Sequence, residues 1–155
     1  MMIGNHRNLD HGLATNLFAR RKLRQQVEEN IARARQQVAR FSAPLSQRLF
    51  DPVSALTMID RRRVEICRAL LSRPRILLLD EPSAGMTHDE THTLMDDLLA
   101  ARKELDGLSV VLIEHEMNVI ERVSDRCAVL NYGEKICEGT YQDIAADERV
   151  RKAYL

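Results

Sequence analysis

The side chains best suited to chemistry are two adjacent carboxylates, Asp80 and Glu81, and one histidine, His115. Asp80-Glu81 directly follows four aliphatic residues, Ile76-Leu77-Leu78-Leu79. A short run of this kind reads as a buried strand, and open parallel sheets bind ligands at the carboxyl ends of their strands. An Asp placed there can hold Mg²⁺, because hard cations prefer oxygen ligands. A Glu after it can polarise an attacking water. Many strands also end in an acidic residue that only faces solvent, so the pair alone is a weak signal. His115 follows a second aliphatic run, Val110-Val111-Leu112-Ile113, and taken singly reads as a strand-end histidine satisfied by hydrogen bonds. His88 and His92 are four apart, a spacing that places two ligands on one helix face. The zinc-protease pattern needs a Glu directly after the first His, and Asp89 stands there instead. With no third ligand suggested, both are expected to be surface residues at a helix start.

The elements that must position these groups follow from periodicity. Between Leu17 and Phe41 the apolar residues Val27, Ile31, Ala34, Val38 and Phe41 recur at spacings of four and three, which makes one stripe on a helix. Pro44 and Pro52 bound a break. Beyond it, the run 76–79 leads into a helical pattern from Thr87 to Leu105, and the run 110–113 into one near Met117 to Ser124. Cys127-Ala128-Val129-Leu130 and Lys135-Ile136-Cys137 flank a turn, Asn131-Tyr132-Gly133-Glu134. Continuous apolar runs suit parallel strands buried on both faces, and their alternation with helices points to an α/β sheet.

Several segments together resemble one family. Asp80-Glu81-Pro82-Ser83-Ala84-Gly85-Met86 resembles the Walker B strand and D-loop of ABC ATPases. Val111-Leu112-Ile113-Glu114-His115-Glu116-Met117 resembles their switch-histidine segment, and Arg62 to Leu70 the helix after their signature motif. Asp125 to Leu130 and Gly133 to Gly139 look like their closing strands, in the expected order from about Leu56 to Leu155. The D-loop wording, Glu114-His115-Glu116-Met117 and the ending Ala153-Tyr154-Leu155 look like the branched-chain amino-acid uptake subfamily.

The resemblance implies a fold, roles and partners. The fold is α/β: a partial P-loop NTPase of the ABC ATPase kind, a mostly parallel sheet flanked by helices plus part of a helical subdomain. Residues 1–55 would be what remains of that subdomain, and residues 56–155 the C-terminal part of the ATPase domain. Asp80 would support Mg²⁺ and ATP, Glu81 would be the general base or water-orienting carboxylate, and His115 would touch the γ-phosphate. Ser83, Ala84, Gly85 and Met86 would lie at the interface with a second ABC ATPase subunit. Transmembrane permease subunits would be the other partners, with the chain peripheral on the cytoplasmic face of the plasma membrane. The alternative is a non-enzymatic module that docks on a permease or a full-length ABC ATPase.

Two departures from the family bear on function. No Gly-x-x-x-x-Gly-Lys-Ser/Thr occurs in the 155 residues. That loop wraps backbone N–H groups around the phosphates, and its Lys neutralises them. By the resemblance the chain opens just past the glutamine loop, near Met2-Ile3-Gly4, so it is expected to expose strand edge and apolar surface and to be inactive alone. The family's Leu-Ser-Gly-Gly-Gln signature aligns with Leu56-Thr57-Met58-Ile59-Asp60. Thr57 keeps a hydroxyl for the second subunit's ATP, but Met58 and Ile59 replace the glycines that allow close backbone approach. Asp60 puts a negative charge at an anion-binding helix start, where it can also act as a cap.

Composition narrows the function classes. Charge balances at 23 basic and 23 acidic side chains, yet residues 1–50 hold nine Lys/Arg against three Asp/Glu. No aromatics interleave with that basic arm, so it reads as a solvated helical face and not as a nucleic-acid platform. The odd set Cys67, Cys127 and Cys137 lacks metal or disulfide spacing and reads as three reduced thiols in the cytosol. No apolar run approaches the length of a membrane span, and the amino terminus carries no signal-peptide pattern.

Overall fold

A computed structural model describes residues 20–154. The expectations for residues 1–19 and Leu155, including the first turn of the 17–41 helix and the stretch around Met2-Ile3-Gly4, lie outside the described residues. The chain divides into two compact units, one running to Leu112 and one from Ile113 onward.

The first unit opens with α1 (Arg20–Phe41). Its apolar stripe is exposed at Val27 and buried at Ala34, Val38 and Phe41, so only the C-terminal half faces the core. A four-residue helix, α2 (Ala43–Ser46), runs through the first of the two prolines, which the sequence reading missed. Ser42 Oγ caps it by accepting from Leu45 N at 3.3 Å, and Pro44 sits in the first turn, where no N–H is needed. After a 3₁₀ turn at Val53–Ala55 comes α3 (Met58–Leu70), whose buried residues are Ile66, Cys67 and Leu70. Strand β1 (Ile76–Asp80) leads through a tight turn to α4 (His88–Glu104). There Thr87 and Glu90 form a capping box: Glu90 N donates to Thr87 Oγ1 at 3.3 Å and Thr87 N to Glu90 Oε2 at 3.0 Å. Thr91, Leu94, Met95, Leu98 and Ala101 make the buried stripe of α4, and α1, α3 and α4 pack on one another.

Strand β2 (Ser109–Ile113) pairs with β1. Ser109 N donates to Arg75 O at 2.9 Å, so both strands start at the same end and form a parallel pair crossed over by α4. In a parallel ladder this bond sets Ser109 beside Ile76 and hence Val111 beside Leu78. That shared face is bare: Ile76 is 60% exposed, Leu78 72% and Val111 51%, whereas Leu77 on the opposite face is 4% exposed. The expectation of strands buried on both faces therefore holds for one face of β1, at Leu77, while β2 alternates between exposed and half-buried residues. A continuous apolar run reports burial in the folded domain; the described residues supply cover for a single side.

The second unit contains α5 (Met117–Val123), β3 (Cys127–Asn131), β4 (Glu134–Gly139), α6 (Tyr141–Ala146) and α7 (Glu148–Tyr154). β3 and β4 form an antiparallel hairpin in which Cys127 faces Gly139 and Asn131 faces Glu134, with an irregularity between Val129 and Leu130. Tyr132 and Gly133 both have positive φ, 47° and 83°, as a two-residue turn joining right-twisted strands requires. A second capping box, Thr140 with Asp143, starts α6. Tyr154 Oη donates to Leu130 O at 2.5 Å and ties α7 to β3. Among the described residues no helix is long and apolar enough to cross a membrane.

Candidate functional site

Asp80 is the last residue of β1. Its exposed carboxylate makes no hydrogen bond or ion pair among the described residues. Glu81 follows with φ 41°, in the left-handed region that residues bearing a Cβ seldom adopt. Such a residue stores roughly 1–3 kcal/mol and persists only where its surroundings hold it. The holding elements are local. Ala84 N donates to Glu81 O at 3.1 Å and Met86 N to Ser83 O at 3.0 Å, while Pro82 and Ser83 are buried. Gly85 completes the turn at φ 78°.

This turn lies against the start of α3. A Cβ on Gly85 would meet Met58 Cε at 4.0 Å, so the structure brings residues 83–86 together with residues 57–60. At that helix start Thr57 Oγ1 accepts from Asp60 N at 3.3 Å. Met58 is exposed, and Ile59 and Asp60 are half-buried. Asp60 Oδ1 pairs with an Arg63 guanidinium nitrogen at 3.2 Å. Arg63 Nε in turn donates to Asp97 Oδ2 on α4 at 2.8 Å. Burial raises the Asp97 carboxyl above its usual range, and the Arg63 guanidinium opposes that rise. The sequence reading missed this Asp60–Arg63–Asp97 chain. Arg63 follows Asp60 by three on one helix, which sequence spacing allows, but Asp97 is 34 residues further on and only tertiary packing brings it there.

His115 lies two residues past the end of β2 and belongs to the second unit, whereas Asp80 and Glu81 belong to the first. Its ring is well exposed, with Nδ1 3.9 Å from Oε2 of Glu114, whose side chain is fully buried. His88 and His92 occupy the first turns of α4 with ring centroids 4.2 Å apart and tilted by 58°. Among the described residues no group of three His, Cys, Asp or Glu side chains is placed to hold a metal ion. The single free carboxylate of Asp80 nevertheless suits Mg²⁺ arriving with a nucleotide. Mg²⁺ takes one or two protein carboxylates and leaves its other positions to phosphate and water.

Comparison with known proteins gives these positions a context. The ABC transporter family model matches residues 4–84, and the branched-chain amino acid ATP-binding cassette transporter model matches residues 134–155. The chain is 34% identical over 155 residues to the high-affinity branched-chain amino acid transport ATP-binding protein LivG of Escherichia coli. It is 34% identical over 157 residues to BraF of Pseudomonas aeruginosa, a protein of the same description. In both cases all of this chain aligns, and it spans 60% of the relative's length. The alignment thus extends further toward the amino terminus than the motif-bearing stretch from Leu56. Among solved structures, the nucleotide-free ATP-binding cassette of an ABC transporter superposes with a TM-score of 0.74 at 22% identity, over 99% of this chain and 60% of that one. A structure of MJ1267, an ATP-binding cassette of an ABC transporter, gives 0.72 at 24% identity, over 82% of this chain and 50% of its own. These likenesses establish the α/β ATP-binding cassette fold, present in part.

Proposed function

Because the chain belongs to the ABC transporter family, we propose that it is part of the energy-coupling ATPase subunit of an importer for branched-chain amino acids or a related small polar solute. The single observation that carries this reading is the free, exposed carboxylate of Asp80 at the carboxyl end of β1, followed at once by Glu81 in a strained left-handed turn. Bound ATP with Mg²⁺ supplies the phosphoanhydride bond whose hydrolysis drives transport. Asp80 would hold Mg²⁺ through its carboxylate. Glu81 orients the attacking water and accepts its proton, and His115 hydrogen-bonds the terminal phosphate through its imidazole.

Ser83–Met86 and Thr57–Asp60 form the edge that meets a second ATPase subunit, and permease subunits hold the assembly on the inner membrane face. Residues 1–55 are assigned to the helical subdomain and residues 56–155 to the C-terminal part of the ATPase domain. The phosphates need a cradle of backbone N–H groups and a Lys, and that motif does not occur in these 155 residues. Alone, therefore, the chain binds MgATP weakly or not at all.

The bare face of β1 and β2 favours a second reading, a non-enzymatic module docking on a permease or a full-length ATPase. Asp80 and Glu81 have no use in such a module, which is why the first reading is preferred. Calorimetry separates the two. Residues 1–155 should show no micromolar MgATP binding, and the same chain fused behind the part of E. coli LivG that it does not span should bind, more weakly with Asp80→Asn. Micromolar binding by residues 1–155 alone, abolished by Asp80→Asn, would overturn the account of the missing cradle. A folded fusion that binds no MgATP would favour the docking module.

A further inference from the structure

We propose that His88 and His92 form a chelating site for a borderline divalent transition-metal cation, Cu²⁺ before Ni²⁺ and Zn²⁺, at the start of α4. The site goes beyond the ATPase reading and does not depend on it. The two histidines are four residues apart on one helix, and their ring centroids stand 4.2 Å apart with a tilt of 58°. Helical i, i+4 spacing sets two side chains on one face, one turn apart. His88 is exposed and His92 half-buried, and neither belongs to the buried stripe of Thr91, Leu94, Met95, Leu98 and Ala101. The rings therefore meet at the surface, where the packing of α4 does not require them.

The chemistry of the pair selects the ligand. Rings this close can each turn one nitrogen toward a common ion at about 2.0–2.1 Å, the length of a Zn²⁺–histidine bond. Imidazole nitrogen suits first-row transition cations, whereas Mg²⁺ and Ca²⁺ take oxygen, and Cu²⁺ binds most tightly in the divalent series. Among the described residues no third side chain is placed as a ligand, so water fills the remaining positions. That donor set fits a tetragonal nitrogen–oxygen ion better than structural Zn²⁺, which takes four protein ligands.

The surrounding charge is also favourable. A cation at a helix start meets the positive end of the helix dipole, and Asp89 and Glu90 in the same first turn offset it. Glu90 is engaged in the cap with Thr87. The Asp89 carboxylate makes no hydrogen bond or ion pair among the described residues. It precedes His92 by three, so its negative charge stands at a neighbouring position on the helix surface. A bound cation would cross-link the first two turns of α4, directly after the turn formed by residues 83–86.

The probe is Cu²⁺ alone, added below one equivalent to the full chain near neutral pH. Cys127 and Cys137 are alkylated first, and His6→Ala with His11→Ala removes the competing histidines. The histidine ring protons are followed by NMR, since paramagnetic Cu²⁺ broadens the rings it binds. His115, with its well-exposed ring, is the reference for a single histidine. His88 and His92 should broaden together, at Cu²⁺ levels about tenfold or more below those that broaden His115, because the second imidazole binds as an intramolecular ligand. Excess Mg²⁺ should leave this response unchanged.

His92→Ala should return His88 to the behaviour of His115, and His88→Ala should do the same for His92. If either alanine variant loses helix by circular dichroism, Gln at that position repeats the test, since it favours helix and lacks the imidazole. Equal broadening of His88, His92 and His115 overturns the proposal. So does a His88 response that survives the loss of His92, since two independent histidines would then account for the binding.

Discussion

Gly139, the last residue of β4, is required for space and not for backbone freedom. A Cβ there would lie 2.7 Å from Asp143 Cβ, 2.7 Å from Asp143 Oδ2 and 3.1 Å from Asp143 Cγ. Asp143 cannot simply swing aside. Its Oδ2 accepts from Thr140 N at 2.8 Å and from Thr140 Oγ1 at 2.7 Å, and Thr140 Oγ1 accepts from Asp143 N at 3.3 Å. Gly139→Ala must therefore either overpack, at roughly 1–3 kcal/mol, or break the cap of α6, at roughly 0.5–2 kcal/mol. The cheaper route prevails, and the expected loss is about 1–2 kcal/mol. Asp143→Gly removes both the cap and the clashing Cβ, so in that background Gly139→Ala should cost less than about 0.5 kcal/mol, a double-mutant coupling of about 1 kcal/mol. All three tyrosines, Tyr132, Tyr141 and Tyr154, lie in the second unit, so urea unfolding followed by tyrosine fluorescence reads this unit directly. A loss below about 0.5 kcal/mol for Gly139→Ala alone, or an equal loss in both backgrounds, would refute the packing argument.

Three further outcomes follow from the same geometry. Arg63→Met strands the half-buried Asp97 carboxylate and should lower urea stability by about 2–3 kcal/mol, whereas Arg63→Met with Asp97→Leu should recover most of that loss. Thr140 holds the Asp143 carboxyl below the usual carboxylate range, through the Thr140 hydroxyl first and the Thr140 backbone N–H second. A depressed folded pKa means that the stabilisation is complete above the ordinary carboxylate range and fades as pH falls below it. Amide protection in α6, taken relative to the intrinsic exchange rate at each pH, should accordingly fall on acidification from pH 5 toward pH 3, with Asp143→Asn removing that dependence. Burial pushes the Cys67 thiol up to about 12, while Cys127 and Cys137 are only half-buried. A thiol reagent at pH 8 should thus modify Cys127 and Cys137 in the folded chain and reach Cys67 only after denaturant is added.

The parts of this molecule that were legible in the sequence are those set by local pattern. The aliphatic run before Asp80 predicted β1, the apolar spacing up to Phe41 predicted α1, and Asn131-Tyr132-Gly133-Glu134 predicted the hairpin turn. Gly133 does adopt the positive φ that such a turn requires. Pro44 was read only as a breaker, although a proline in a first turn also starts helices, so α2 went unseen. Other features depend on neighbours that no window contains. The left-handed backbone of Glu81 is imposed by the buried Pro82-Ser83 turn, and the Arg63–Asp97 pair joins helices far apart in sequence. The apolar runs spoke for a doubly covered sheet, and the described residues cover one face. For the candidate site, residue types and order were readable, whereas the engagement of Thr57 and Asp60 within their own helix start was not.

The most direct test of the central claim is ATP hydrolysis by the fusion of this chain behind the LivG segment it does not span, compared with its Glu81→Gln variant. The account predicts measurable turnover that falls about a hundredfold or more in the variant, with MgATP still bound, since a positioned base typically contributes that much. Undiminished turnover in Glu81→Gln, or none in a fusion that binds MgATP, would contradict it.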